Sequence, residues 1–570
     1  MEALWVVGVI SAILVPFLYL VWKHHPSYGA NPGAPAFPLV GSLPLVIRNK
    51  HRFYEWTCEL FDRSPSLTRR VTLGRTIFLS TADPQVVHHI LKSHFVDYPK
   101  GRRFYPFFAD LLGNGIFNCD GALWRLQRKV ASHVFTTNSL RDFVLAIADA
   151  EISGRLLPAL DSVYCSSTDF LDLQALLMHY TFDTICQLTF GSDPACLDSS
   201  KVEETNRNGN TARMSVTGED DIADEDSHAS HDVSLPTSYA KVPHHLIQGF
   251  VQAFQVAVQI TAERFLVPGF VWRLKRSLKI GSEKRLSEAL EVVNRFTSFV
   301  IEQSKKDLAN GKDRKDLLAR FIRLSKDEEE VPVDIADKNE HEGLSISDAL
   351  LKDILLSFIL AGWETVASGI TFALWLLSIH PRVEREVLNE IDRILGDRKF
   401  NHVLEGSKME TFTYNDVRKM HYLQAVLSES MRLYPPVPSD CKYAARDDTL
   451  PDGTQVLEGY QVSYNVFAMG RAARVWGKDC LEFRPERWLD ENGEFVPASP
   501  FKYPVFQAGP RICLGKDFAF IQMKLVVASL VRNFEFVVQP GFKPKLSYGV
   551  SMIMVDGLPV TIKKRLSSFC

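Results

Sequence analysis

Apolar and polar positions divide the 570-residue chain into an apolar head, a long helical body and two polar interruptions. Leu4 to Trp22 (LWVVGVISAILVPFLYLVW) carries no charge, which predicts a helix just long enough to span a bilayer, with Trp5, Tyr19 and Trp22 near its ends. Residues 1–22 are expected to form a retained transmembrane signal-anchor, because Glu2 stands where a signal peptide carries a base and no small-x-small cleavage site follows. Segment 23–45 holds Pro32, Pro35, Pro38 and Pro44, too many for a helix, and reads as a stiff Pro/Gly hinge. Residues 67–80 predict two short strands about Gly74, and Asp83-Pro84 opens a helix through Val86, Val87, Ile90 and Leu91. Tyr98 to Cys119 mixes arginines, aromatics and glycines, and predicts an irregular loop.

Further on, about 198–243 is rich in Ser, Asn, Thr and acids and poor in apolar residues, so a disordered surface insertion is expected; 326–342 is a shorter stretch of the same sort. From Ser345 the apolar positions 346, 350, 351, 354, 355, 358 and 359 continue through Leu377. They predict one very long buried helix, capped at Ser347-Asp348 and ended before Pro381. A last apolar run with helical spacing, Phe518 to Val531, follows Cys513-Leu-Gly515 directly.

Composition changes this only by exclusion. Charged and hydrophobic fractions of 23% and 46% are ordinary for a globular protein, and a net charge of −3 gives no reason to invoke nucleic acid as a partner. Nine cysteines with no CxxC pair and no even ladder of spacings argue against a disulfide framework or a zinc site, and point to a reducing compartment.

Candidate chemistry collects around one cysteine. In Phe506-Gln-Ala-Gly509-Pro-Arg511-Ile-Cys513-Leu-Gly515, a loop delivers a thiol at the start of a helix, whose N-terminal dipole favours an anionic sulfur, and glycines allow close approach to a flat ligand. Such a sulfur suits an axial position on haem iron; the plain alternative is a buried structural cysteine. Trp124 and Arg128 sit four apart, on one face of a predicted helix. Inside the long apolar helix, Gly362, Glu364 and Thr365 are residues that a core helix avoids. Either they mark a functional groove or Thr365 bonds back to a carbonyl of the preceding turn and kinks the helix. Glu429 and Arg432 share another helical face, and Arg487 follows in Pro485-Glu-Arg-Trp.

Together FxxGxRxCxG, WxxxR, (A/G)Gx(D/E)T and ExxR with PERW resemble the motifs of the cytochrome P450 superfamily, in the family's order. Closer similarity lies with plant long-chain fatty-acid ω-hydroxylases and their jasmonoyl–amino acid oxidising relatives, carried by YPKGRRF, GNGIFNCDGALWRLQRKVASHVF, FGSDPACL, DDTLPDGT and YPVFQAGPRICLGKDFAFIQMK. The resemblance implies a mainly α cytochrome P450 fold with small β-sheets over 46–570, and haem b with Cys513 as the iron ligand. Trp124, Arg128 and Arg511 would meet the propionates, with Phe506, Gly509 and Gly515 shaping the loop. Glu364 and Thr365 would manage protons, and Glu429, Arg432 and Arg487 would form a structural network.

The implied reaction inserts one oxygen of O2 into a terminal or near-terminal C–H bond of a long-chain fatty acid. Its electrons come from NADPH through NADPH-cytochrome P450 reductase at the endoplasmic reticulum membrane, docked near Arg125, Lys129 and His133, with the catalytic domain cytosolic. Phe104, Phe107, Phe108, Ile116 and Phe117 are expected to wall the substrate channel, and Arg102 or Arg103 to anchor a carboxylate at its mouth. This chain departs from the pattern at Trp363, where the branch commonly has arginine, and at Val366, where threonine or serine is usual. Oxidation of another amphipathic lipid or a jasmonoyl–amino acid conjugate, and a non-catalytic haem-binding protein, stay open as alternatives. A peroxide-rearranging haem-thiolate enzyme would lack the helix threonine and alter the cysteine loop, and this chain does neither.

Overall fold

The computed structural model describes residues 2–23, 36–37, 40–64, 66–73, 76–136, 138–165, 170–197, 243–326, 346–396 and 412–565. The insertion expected at 198–243 (apart from Pro243), the linker at 326–342 (apart from Lys326) and most of the 23–45 hinge lie outside them.

Strands are short. They are β1 (Thr68–Leu73), β2 (Thr76–Thr81), β3 (Leu171–Asp172), β4 (Ser439–Tyr443), β5 (Asp448–Thr449), β6 (Gln455–Val456), β7 (Gln461–Asn465), β8 (Phe534–Val538) and β9 (Pro559–Lys564). They make a four-stranded sheet in the order β1-β2-β7-β4, a three-stranded sheet β3-β9-β8 and the hairpin β5-β6. In the first sheet β2 and β7 run parallel, with Phe78 opposite Gln461, so the N-terminal strand pair is tied to a segment far along the chain. The strand pair about Gly74 forms as its sequence suggests.

Helices carry the rest. Those that position the site are α1 (Glu2–Lys23), α2 (Pro84–His88), α3 (Gly101–Leu112), α4 (Gly121–Thr136), α5 (Leu173–Phe190), α6 (His244–Glu263), α7 (Gly281–Ala309), α8 (Asp348–Gly362), α9 (Glu364–Ile379), α10 (His421–Leu433) and α11 (Lys516–Asn533). Two cores result. Phe372 and Trp375 of α9, Leu427 and Met431 of α10, and Leu525 and Val526 of α11 belong to one. Phe182 of α5, Phe250 and Phe254 of α6, Phe296 of α7 and Leu355 of α8 belong to the other. The stretch Asp348–Ile379 is apolar and long enough to cross a membrane, yet 83% of an 18-residue apolar window within it is buried inside the protein, as in a core helix. By contrast α1 leaves Ile13, Val15, Phe17 and Trp22 exposed.

Two expectations fail locally. Residues 101–112 are helix α3 rather than an irregular loop, because Phe104, Phe108, Leu111 and Leu112 fall on one helical face and bury together. Glycines at each end, Gly101 at φ +76° and Gly113 at φ +44°, bound the helix rather than dissolve it. The long helix expected from Ser347 is broken into α8 and α9 at Trp363, whose φ of −83° and ψ of −85° leave the helical region. Its start is as expected, with the Ser347 hydroxyl accepting from the Leu350 N–H at 3.3 Å.

Candidate active site

A cavity of about 540 Å³ has the cysteine loop as one wall and the α8–α9 break as another. Cys513 is accessible although it sits deep, because the surface it presents faces this cavity. Its backbone N–H donates to the Phe506 carbonyl at 2.8 Å, closing the loop three residues before α11 starts. Burial pushes the Cys513 thiol up, while the Gly515 N–H and the Arg128 charge act the other way. Phe506 packs on Phe520 with ring centroids 5.1 Å apart, which fixes the loop to its helix. Gly509 is required for a reason other than ligand approach: it holds φ +64°, and a Cβ there would meet the Leu91 carbonyl oxygen at 2.0 Å.

Beneath the loop lies an ionic lock. Arg432 donates twice to Glu429, at 2.7 and 2.8 Å, and Arg487 donates to the same carboxylate at 2.9 Å. The Trp488 indole and the Arg484 backbone N–H add bonds of 2.8 and 2.9 Å. Glu429 and Arg432 have no exposed side-chain surface; Arg432 Nη1 donates to the Gly470 and Cys480 carbonyls, and Nη2 donates also to the Glu482 carbonyl. A buried charge set in this way is fully satisfied, and its bonds tie α10 to residues between Gly470 and Trp488, upstream of Cys513.

On the helix wall, Ala361, Gly362, Thr365 and Val366 face the cavity. Gly362 admits α5, since a Cβ there would lie 2.3 Å from Ile185 Cδ1. The Thr365 hydroxyl donates to the Ala361 carbonyl at 2.6 Å, the back-bond that the sequence offered as the plain alternative, while the residue still lines the cavity. Glu364 is buried and does not line it, and burial raises its carboxyl above the ordinary range. Trp363 points the other way into the second core, donating to the Met178 carbonyl at 3.0 Å and packing on Phe182.

Phe104, Phe108, Ile116 and Phe117 line the cavity as anticipated. Phe107 does not; it stacks on Phe265, which does, at 4.2 Å. Arg102 and Arg103 are also absent from the lining, because both are exposed and Arg103 donates to the Gly459 carbonyl at 2.6 Å. Trp124 lies between two guanidiniums, with Arg511 4.6 Å and Arg128 5.8 Å from its ring. Arg128 donates to the Ile512 carbonyl at 2.8 Å and Arg511 to Asp120 at 2.6 Å.

A polar cluster in the cavity wall went unread in the sequence. Asp440 accepts from Lys100 at 2.5 Å, Tyr464 at 3.0 Å and Gln507 at 2.8 Å, with Lys442 at 3.3 Å. Burial pushes Asp440 up, but the two lysines hold it far below the carboxylate range, and burial pulls Lys442 down to about 7 against the Asp440 charge. The only sequence signal was Asp440 and Lys442 two apart on one strand face. Lys100, 340 residues from Asp440, gave none.

Burial also lowers Arg128 and Arg511 below the ordinary guanidinium value, so an anion beside them would be welcome. A cavity-facing sulfur, an apolar wall and buried cations in excess fit a flat cofactor with carboxylates at one edge, held through sulfur: a haem-thiolate protein. The chain belongs to the cytochrome P450 family, whose model, described as Cytochrome P450, matches residues 32–563. Cytochrome P450 94A1 of Vicia sativa is 38% identical over 546 residues, 93% of this chain and 90% of that one. Cytochrome P450 94B1 of Arabidopsis thaliana is 38% identical over 550 residues, 94% and 92% of the two chains. Cytochrome P450 94C1 of the same plant is 39% identical over 515 residues, 90% and 89%. Membership implies a monooxygenase with a thiolate-ligated haem and an electron-donating reductase.

Proposed function

We propose that this chain hydroxylates a long-chain fatty acid at or near its terminal methyl, drawing electrons from NADPH through NADPH-cytochrome P450 reductase. When bound, the haem supplies dioxygen activation and insertion of one oxygen atom into a C–H bond. Cys513 would hold the iron, and Trp124, Arg128 and Arg511, joined by Lys100 and Lys442, would hold the propionates. Thr365 keeps a hydroxyl proton on the cavity wall, and the neighbouring Glu364, whose carboxyl burial raises above the ordinary range, stands next to it in the chain. Phe104, Phe108, Ile116 and Phe117 exclude water and confine an alkyl chain, so that its end and not its middle reaches the cysteine side. The exposed apolar α1 supports a membrane anchor at the endoplasmic reticulum with the catalytic domain cytosolic.

The observation that carries this reading is the accessible Cys513 sulfur in an apolar cavity shared with Thr365. Reconstituted with reductase and NADPH, the protein should convert members of a fatty-acid panel to terminal alcohols by product mass spectrometry. Cys513→Ser should abolish both that product and the thiolate-type carbon monoxide difference band. An unchanged band in the variant defeats the ligand assignment, and oxidation of a jasmonoyl conjugate alone defeats the substrate assignment.

A further inference from the structure

Away from the cavity, two histidines and two aspartates converge where the turn after α2 meets the β5-β6 hairpin. Residues His89–Ser93 form a single π turn, closed by the His94 N–H donating to the His89 carbonyl at 2.8 Å. In an α-helix, positions five apart point to different sides; one π turn brings them nearly above each other. The His89 and His94 rings accordingly stack, with centroids 4.0 Å apart. His89 Nε2 lies 2.8 Å from Asp448 Oδ2 at the start of β5, and the donor atoms of His89, His94 and Asp448 all fall within 4.8 Å of one another.

Further groups orient these donors. His94 Nδ1 faces Asp97 Oδ2 at 3.2 Å, leaving Nε2 as its free nitrogen, and Arg446 holds Asp97 from the far side at 2.6 Å. Tyr98 donates to Asp448 at 2.7 Å. A carboxylate behind a ligating imidazole is the usual outer support of a transition-metal site. With neutral imidazoles, the two carboxylates outweigh Arg446, and the cluster attracts a cation.

We propose that His89, His94 and Asp448 form a binding site for a divalent first-row transition ion, with zinc the best match to two imidazoles and one carboxylate. Its fourth position falls to water. Because an imidazole lone pair lies in its ring plane, the two rings must turn out of their stack for both to meet one ion at ~2.0–2.1 Å, a side-chain rotation about the π turn. The ion would clamp the π turn to the hairpin. Leu91, inside that turn, is the residue whose carbonyl abuts Gly509, so the clamp braces the backbone against which the cysteine loop is seated. The absence of CxxC pairs in the sequence bears only on thiolate ligands.

The test is titration calorimetry of zinc into the chelator-treated full-length holoenzyme. One zinc per chain should bind, His94→Ala should weaken it about tenfold or more, and Asp97→Asn about tenfold. Zinc should raise the unfolding midpoint of the wild type and leave that of His94→Ala unmoved. No uptake, or equal affinity in His94→Ala, overturns the proposal. If His89→Ala fails to fold, His94→Ala still decides, since that side chain is 38% exposed and can be removed without opening the core.

Discussion

Two glycines show how differently the two walls of the cavity are built. Gly509, in the cysteine loop, holds φ +64° and has a backbone carbonyl 2.0 Å from the place of a Cβ. At Gly362, in the helix wall, φ is unremarkable for any residue and the obstruction is the outer part of the Ile185 side chain, 2.3 Å away. Backbone cannot yield without moving a segment, whereas a side chain can rotate. The cysteine wall is thus set by main chain and by the Glu429 ion network. The helix wall is set by apolar contacts around a break. Rigid placement belongs where one sulfur must meet one metal, and adaptable packing belongs where a substrate chain must be accommodated.

The sharpest way to break this contrast is Glu429→Gln. It leaves Arg432 buried without its charge partner and Arg487 with only Asp479, at a cost of roughly 3–5 kcal/mol. Folded, haem-containing protein should be lost, as measured by the carbon monoxide band per milligram; near-normal yield would mean the network does not set the loop. Gly509→Ala should come next. Left-handed strain alone costs about 1–2 kcal/mol, and the Leu91 overlap adds to it. Gly362→Ala should be milder in thermal melts, because Ile185 can shift, and the reverse order would refute the distinction between walls.

On the helix wall, Thr365→Ala removes a hydroxyl but no core packing. Haem content and melting should stay near wild type, while product formed per NADPH consumed falls several-fold; unchanged coupling would leave Thr365 with only its bond to Ala361. Phe117→Ala should have a subtler effect still, shifting oxidation inward from the terminal carbon at a similar total rate. Identical regiochemistry would remove Phe117 from the channel.

A control outside both walls concerns pH. Burial and the Asp193 charge push Asp183 up to about 7. An ordinary aspartate titrates near ~3.9, so between those values the native state binds more protons than the unfolded chain, and this group's contribution to stability declines as pH rises through the window. Asp183→Asn keeps an acceptor for only one of the Cys196 and Leu197 N–H groups, which bond different carboxylate oxygens, so it lowers the midpoint overall, but it should flatten that decline in denaturant midpoints measured from pH 4.5 to 7.5.

What the sequence by itself determined was local or carried by fixed spacing. The strand pair about Gly74, the Ser347 cap, the Cys513 loop ahead of its helix and the Glu429–Arg432 pair each depend on residues a few positions apart. Their hydrogen bonds and dihedral preferences are written within one segment. The family motif supplied Arg487 at a distance. Tertiary structure decided the rest. Where the helix breaks at Trp363, the sequence offered a kink beside Thr365 as one of two readings, and it is the Met178 carbonyl and the Phe182 ring on another helix that receive the indole there. Helix α3 forms because its apolar face meets α6 and α8, outweighing Pro106 and the flanking glycines. Phe107 and Arg103 turn to Phe265 and Gly459, partners with no signature near them in the chain. Lys100 becomes a cavity residue only through Asp440, because a buried charge takes its meaning from whatever the fold brings beside it, however far along the chain that partner lies.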